Sequence, residues 1–73
     1  MTLRRFLSYC VYNQEIKILD YDTLTIDPMI FKGPAVDVIA NHAIPKDLLD
    51  REVIYVEAEK DGILRIDVTT VFN

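Results

Sequence analysis

The stretch from Glu52 to Phe72 alternates apolar and polar residues on either side of Lys60-Asp61-Gly62, and nothing else in the chain restricts the fold as strongly. Period-two alternation describes a strand with one wet face, and Gly after Asp marks a tight reversal. The length of the reversal decides which residues share a face. A two-residue Asp61-Gly62 loop would set Glu59 opposite Leu64 and Val56 opposite Asp67, mixing apolar with charged positions. A three-residue loop, with Gly62 left-handed, sets Ala58 opposite Leu64, Val56 opposite Ile66 and Ile54 opposite Val68. It also sets Glu57 opposite Arg65 on the other face, a cross-strand ion pair. The sequence therefore predicts a hairpin of strands 52–59 and 63–72 around a three-residue loop.

The rest of the chain supplies two helices and a second hairpin. Leu3, Phe6, Leu7 and Cys10 form one helical stripe behind Thr2, so a helix over 2–10 is expected with Thr2 as its cap. Arg4 and Arg5 stand at the positive end of that helix, a mild conflict with its dipole that hints at a partner-facing role, although an ordinary solvated face is the expected reading. Residues 15–20 alternate as a strand, Asp20-Tyr21-Asp22-Thr23 reads as a turn, and a second strand runs roughly over 24–31. Pro28 cannot donate to a ladder and places that strand at an edge or a bulge. An odd loop puts Ile16 and Ile18 on the face of Leu24, Ile26 and Ile30, which parity favours. Lys32-Gly33-Pro34 is expected to break the strand, with Pro34 opening a helix that carries Ala35, Val36, Ile39 and Ala40 and ends near Asn41. Pro45 then opens a short helical turn through Leu49. The predicted class is α+β, in the order α-β-β-α-β-β: a four-stranded, mostly antiparallel sheet of two hairpins in a single domain, residues 1–73.

Sorting these strands by parity exposes a surplus. The helix-facing side takes Ile16, Ile18, Leu24, Ile26, Ile30, Ile54, Val56, Leu64, Ile66 and Val68. The other side holds Leu19, Tyr21, Met29, Phe31, Val53, Tyr55, Ile63 and Val71 beside Glu57, Arg65 and Asp67. Half of the chain is hydrophobic (51% of 73 residues), and two small helices cannot shelter both faces. One helix on each face, two copies paired sheet to sheet, or a docking site for another protein would each resolve the surplus. So short a chain gains little net stability alone, which favours association.

Charge and chemistry narrow the functions. Twelve acids against eight bases give a formal charge of −4, with the bases Arg4 and Arg5 at the N-terminus and the acids concentrated between residues 13 and 61. Clustered Lys and Arg, which nucleic acid or an anionic membrane would require, are missing. Cys10 is the sole cysteine, His42 the sole histidine, so neither a disulfide nor a four-ligand zinc site is available within the chain. Asp20, Asp22 and Asp27 could gather round a divalent cation, but short acids at a strand end are first of all turn formers. Asp47, Asp50 and Glu52 flank a short helix and cap it. Tyr9, Tyr12, Tyr21 and Tyr55 suit an interface or a core boundary equally. No phosphate loop, nucleophile elbow or membrane-length apolar run is present, so no cofactor, membrane or catalytic function is expected, and the cytoplasm of a bacterial host cell is the expected location.

Taken together, Tyr12-Asn13-Gln14-Glu15-Ile16, Asp20-Tyr21-Asp22-Thr23, Ile30-Phe31-Lys32-Gly33, Ile44-Pro45 through Val53, and Asp61-Gly62-Ile63-Leu64-Arg65-Ile66 resemble short acidic uncharacterised proteins of phages and mobile elements of Gram-positive gut bacteria. The likeness covers most of the chain and rests on turns, caps and strands, so no functional residue is carried over. It implies an accessory-gene setting in which inhibitors of host defence, anti-CRISPR proteins among them, are common. The expectation is a non-catalytic protein-binding module, an inhibitor of a host defence nuclease acting by steric block. Leu19, Tyr21, Met29, Phe31, Val53 and Tyr55 would supply apolar contact, and Asp20, Asp22, Asp27, Glu57 and Glu59 would meet a basic groove. The alternative is a self-associating structural protein, for instance a homodimer, without an inhibitory role. A small metal-dependent enzyme using Asp20, Asp22 and Asp27 is a third reading.

Overall fold

Along the chain run α1 (Leu3–Leu7), β1 (Glu15–Asp20), β2 (Met29–Pro34), α2 (Val36–Ala40), a 3-10 turn (Leu48–Asp50), β3 (Val53–Ala58) and β4 (Leu64–Val68). These elements come from a computed structural model that describes residues 1–21, 29–40 and 47–69. The strands form one four-stranded sheet in the order β2-β1-β4-β3. Both hairpins are antiparallel, and they meet along a parallel β1–β4 seam. The α+β class and the element order are those expected. The parallel seam is new, because hydrophobic parity says which face a strand presents and not which strand lies beside it.

The C-terminal hairpin keeps its expected register near the turn: Ala58 faces Leu64, Glu57 faces Arg65 and Val56 faces Ile66. The Gly62 N–H donates to the Glu59 carbonyl at 3.2 Å, the Glu59 N–H donates to the Ile63 carbonyl at 2.8 Å, and Gly62 takes φ +79°. This is the three-residue reversal, closed by a left-handed glycine. Further along, the pairing departs from expectation. Val53, not Ile54, faces Val68, and Ile54 is the extra residue of a bulge between Val53 and Tyr55. Val53 consequently packs against the core, while Ile54 stays exposed.

A second bulge corrects the first hairpin. Ile16 faces Gly33 and Ile18 faces Phe31, yet Leu19 faces Met29, so Ile30 is the unpaired residue. Phe31 is thereby turned onto the helix side and buried, against the expectation that it would join Leu19 on the opposite face. Lys32-Gly33-Pro34 does not break the strand; it is the end of β2, and the helix starts after it at Val36. The Phe31 ring explains Gly33. A Cβ there would meet the ring at 3.2 Å, and φ is +155°, so only glycine lets the aromatic lie across the strand. Most of the strand expected over 24–31, with Leu24, Ile26 and Pro28, lies outside the described residues, as do Asn41, His42, Pro45 and Val71.

The helices are short and lie on one side of the sheet. Thr2 caps α1, its hydroxyl accepting from the Arg5 N–H at 3.2 Å. The helix ends at Leu7, and tighter turns continue to Cys10, the Tyr9 N–H donating to the Phe6 carbonyl and the Cys10 N–H to the Leu7 carbonyl. Ser8 ends the helix by turning its hydroxyl onto the Arg5 carbonyl at 2.6 Å. Leu3, Leu7, Val38 and Leu48 from this layer close over Ile16, Ile18, Phe31, Ile66 and Val68 from the sheet, forming one core with Ala35. Of the three ways to resolve the apolar surplus, a helix on each face is therefore not adopted by the described residues.

Arg51, a residue with no distinguishing signal in the sequence, is buried where the layers join. Its guanidinium lies 3.7 Å from Asp20 at the end of β1 and 3.5 Å from Asp47 before the 3-10 turn. Its carbonyl accepts from the Leu3 N–H at 2.9 Å, which ties α1 to the start of β3. A buried charge persists only with opposite charges beside it, and these two carboxylates supply them.

Candidate functional site: the open face of the sheet

The face turned away from the helices carries two rows of side chains set by the strand register. One row runs Met29, Leu19, Asp67, Tyr55 across β2, β1, β4 and β3. The next runs Lys32, Lys17, Arg65, Glu57. Tyr21 follows β1, its N–H donating to the Val68 carbonyl at 2.9 Å. Tyr21 (58% exposed), Tyr55 (46%) and Met29 (41%) remain open to solvent, and Leu19 is half-buried.

The chemical centre of this face is Arg65 with Asp67. Residues two apart on a strand share a face, which allows Arg65 to reach Asp67 with both arms: Nε to Oδ1 at 3.0 Å and Nη2 to Oδ2 at 3.2 Å. The Asp67 carboxylate, hydrogen-bonded and close, holds the Arg65 guanidinium above its ordinary pKa. The guanidinium also stands 5.9 Å from the centroid of the Tyr55 ring, within reach of a cation–π contact. Asp67 is only 3% exposed although it sits on the open side. Tyr21, Ile54, Tyr55, Glu57, Arg65 and Asp67 line a shallow groove of about 430 Å³.

Of the apolar residues singled out from the sequence, the structure brings Leu19, Tyr21, Met29 and Tyr55 to this face and removes Phe31 and Val53 from it, each by a bulge. The described acids, Asp20, Glu57 and Glu59, do not gather into one patch. Glu59 is ion-paired with Lys17 at 2.9 Å, Glu57 stands opposite Arg65, and Asp20 lies beside Arg51 near the helix layer. Asp22 and Asp27 lie outside the described residues. Arg4, one of the two arginines at the start of α1, meets Asp50 at 3.2 Å on the solvated surface.

Lys17, Arg65 and Asp67 were not singled out as site residues, although the i, i+2 spacing of Arg65 and Asp67 was a legible signal for their pairing. Chemically the groove offers aromatic and aliphatic contact around a locked ion pair. Its acid and its base neutralise each other, which suits recognition better than proton transfer. Among the described residues no group of three or more His, Cys, Asp or Glu side chains is placed to hold a metal ion. Among the same residues no helix is long and apolar enough to cross a membrane. Comparison with protein-family models, with curated proteins and with solved structures finds no match to this chain.

Proposed function

We propose that this chain is a non-catalytic protein-binding module whose open sheet face docks on another protein. One observation carries the reading: Tyr21, Met29 and Tyr55 stand exposed on the same face, over which no described helix lies, around the Arg65–Asp67 pair. Tyrosine and methionine give large, adaptable contact area, and arginine beside them is the composition of an interface centre rather than of an ordinary wet surface. The dispersal of Asp20, Glu57 and Glu59 shifts the weight from a basic groove to these apolar residues. In the phage or mobile-element setting that the sequence resemblance implies, the partner is a host defence protein such as a nuclease, blocked sterically.

The experiment is affinity capture from the bacterial host with the wild-type chain and with a Tyr21→Ala, Tyr55→Ala double variant, followed by a nuclease assay on whatever is retained. A partner held by the wild type and released by the variant supports the reading. Removing two interface tyrosines should weaken binding by roughly 30-fold or more. Partners retained equally by both forms would rule out this face, and full nuclease activity at saturating protein would rule out inhibition.

A further inference from the structure

The two edges of the sheet are treated very differently. The β2 edge is guarded: it contains a bulge at Ile30, an exposed Lys32 and Pro34, which has no N–H to offer. Bulges, lysines and prolines are the usual means of discouraging a further strand. Among the described residues the β3 edge is guarded only at its start, by its own bulge at Ile54 and by a covering segment. There the Val53 N–H donates to the Met1 carbonyl at 2.8 Å and the Leu3 N–H to the Arg51 carbonyl at 2.9 Å, so Met1–Leu3 covers residues 51–53. From Ile54 to Ala58 the edge carries no Lys or Pro. Ile54, Tyr55 and Val56 are 44%, 46% and 38% exposed.

The hydrogen-bond phase of β3 shows what this open segment presents. Glu59 bonds to Ile63, so by alternation Glu57 bonds to Arg65, and the N–H and C=O groups of Val56 and Ala58 point away from β4. We infer that this edge pairs antiparallel with the same edge of a second copy, with Val56 on the two-fold axis. In that register Val56 faces Val56 of the second copy, Tyr55 faces Glu57, and Ala58 reaches the bulged Ile54 beside the cover formed by Met1–Leu3.

Charge and space select this register. Sliding the copies two residues toward the turn sets Glu57 directly on Glu57, and a parallel arrangement lines both acids up with their own copies; like charges directly opposite destabilise a sheet. Sliding two residues the other way drives the second copy into Met1–Leu3. The open segment ends where that cover begins, and the second copy's strand ends there too, at its own turn. The occupant is thus a second copy of this chain. The two-fold axis runs through the sheet, so both open faces lie on one side of a continuous two-copy sheet and double the docking surface proposed above without depending on it.

Sedimentation equilibrium tests the pairing, with Cys10→Ser as background for two cysteine variants. The wild type is expected to dimerise, and Val56→Lys, which sets two ammonium groups face to face at an exposed position, to weaken the dimer by about tenfold or more. On oxidation Val56→Cys should form a symmetric disulfide, since Cα atoms of a hydrogen-bonded antiparallel pair lie about 5.5 Å apart. Ala58→Cys, displaced from the axis, should not. A wild type still monomeric at about 0.5 mM overturns the inference, because even a weak pair would be partly formed there. A dimer that survives Val56→Lys but dissociates with Met29→Lys also overturns it, since that association would run through the open face. Circular dichroism on each variant separates lost pairing from lost folding.

Discussion

Arg65 and Asp67 make an unequal pair, and the inequality can be measured. The Arg65 side chain is 36% exposed and the Asp67 side chain 5%. Replacing Asp67 by Asn leaves a guanidinium that can turn to water and that still has Glu57 across the strand pair. Replacing Arg65 by Met keeps a long apolar stem near Tyr55 but strands a carboxylate that water scarcely reaches. Breaking a fully buried pair costs about 3–5 kcal/mol, and the exposure of Arg65 reduces that figure, so about 2–3 kcal/mol is expected for Arg65→Met. Asp67→Asn should cost about 1 kcal/mol, the scale of one lost hydrogen bond. At about 4–8 °C per kcal/mol for a domain of this size, the melting temperatures should fall by about 10–20 °C and about 4–8 °C respectively. Urea titration followed by circular dichroism measures both. Equal losses in the two variants, or a larger loss for Asp67→Asn, would refute this account of the open face.

The two glycines should respond differently to alanine: Gly33→Ala pushes a Cβ against the buried Phe31 ring and should cost about 2 kcal/mol. Gly62→Ala meets open space and should lose about 1 kcal/mol through its left-handed backbone alone, both read by thermal melts. Leu48→Ala, in a turn of three residues, removes a fully buried side chain and should cost about 3 kcal/mol, with the loss visible as a lower urea midpoint. Burial pushes the Cys10 thiol above its ordinary pKa, and its Sγ donates to the Phe6 carbonyl at 3.7 Å. Alkylation at about pH 8 should therefore be several-fold slower than for a free thiol and should reach the free rate in denaturant.

What was legible in the chain was local. Alternation across residues 52–72 and the position of Gly62 named the last hairpin, its loop length and three of its cross-strand pairs, because turn geometry and parity act between neighbours in sequence. Thr2 and the Leu3–Leu7 spacing announced α1 for the same reason, and Leu19, Tyr21, Met29 and Tyr55 could be placed on the outer face by counting alone. The tertiary structure decided the rest. Bulges at Ile30 and Ile54 turned Phe31 and Val53 onto the core side, and a bulge resets parity without leaving a mark in the apolar pattern. The parallel β1–β4 seam, the burial of Arg51 between Asp20 and Asp47, and the covering of residues 51–53 by Met1–Leu3 all join segments far apart in the chain. Their stability comes from packing and charge pairing that exist only once those segments have met, so no local pattern could have foretold them.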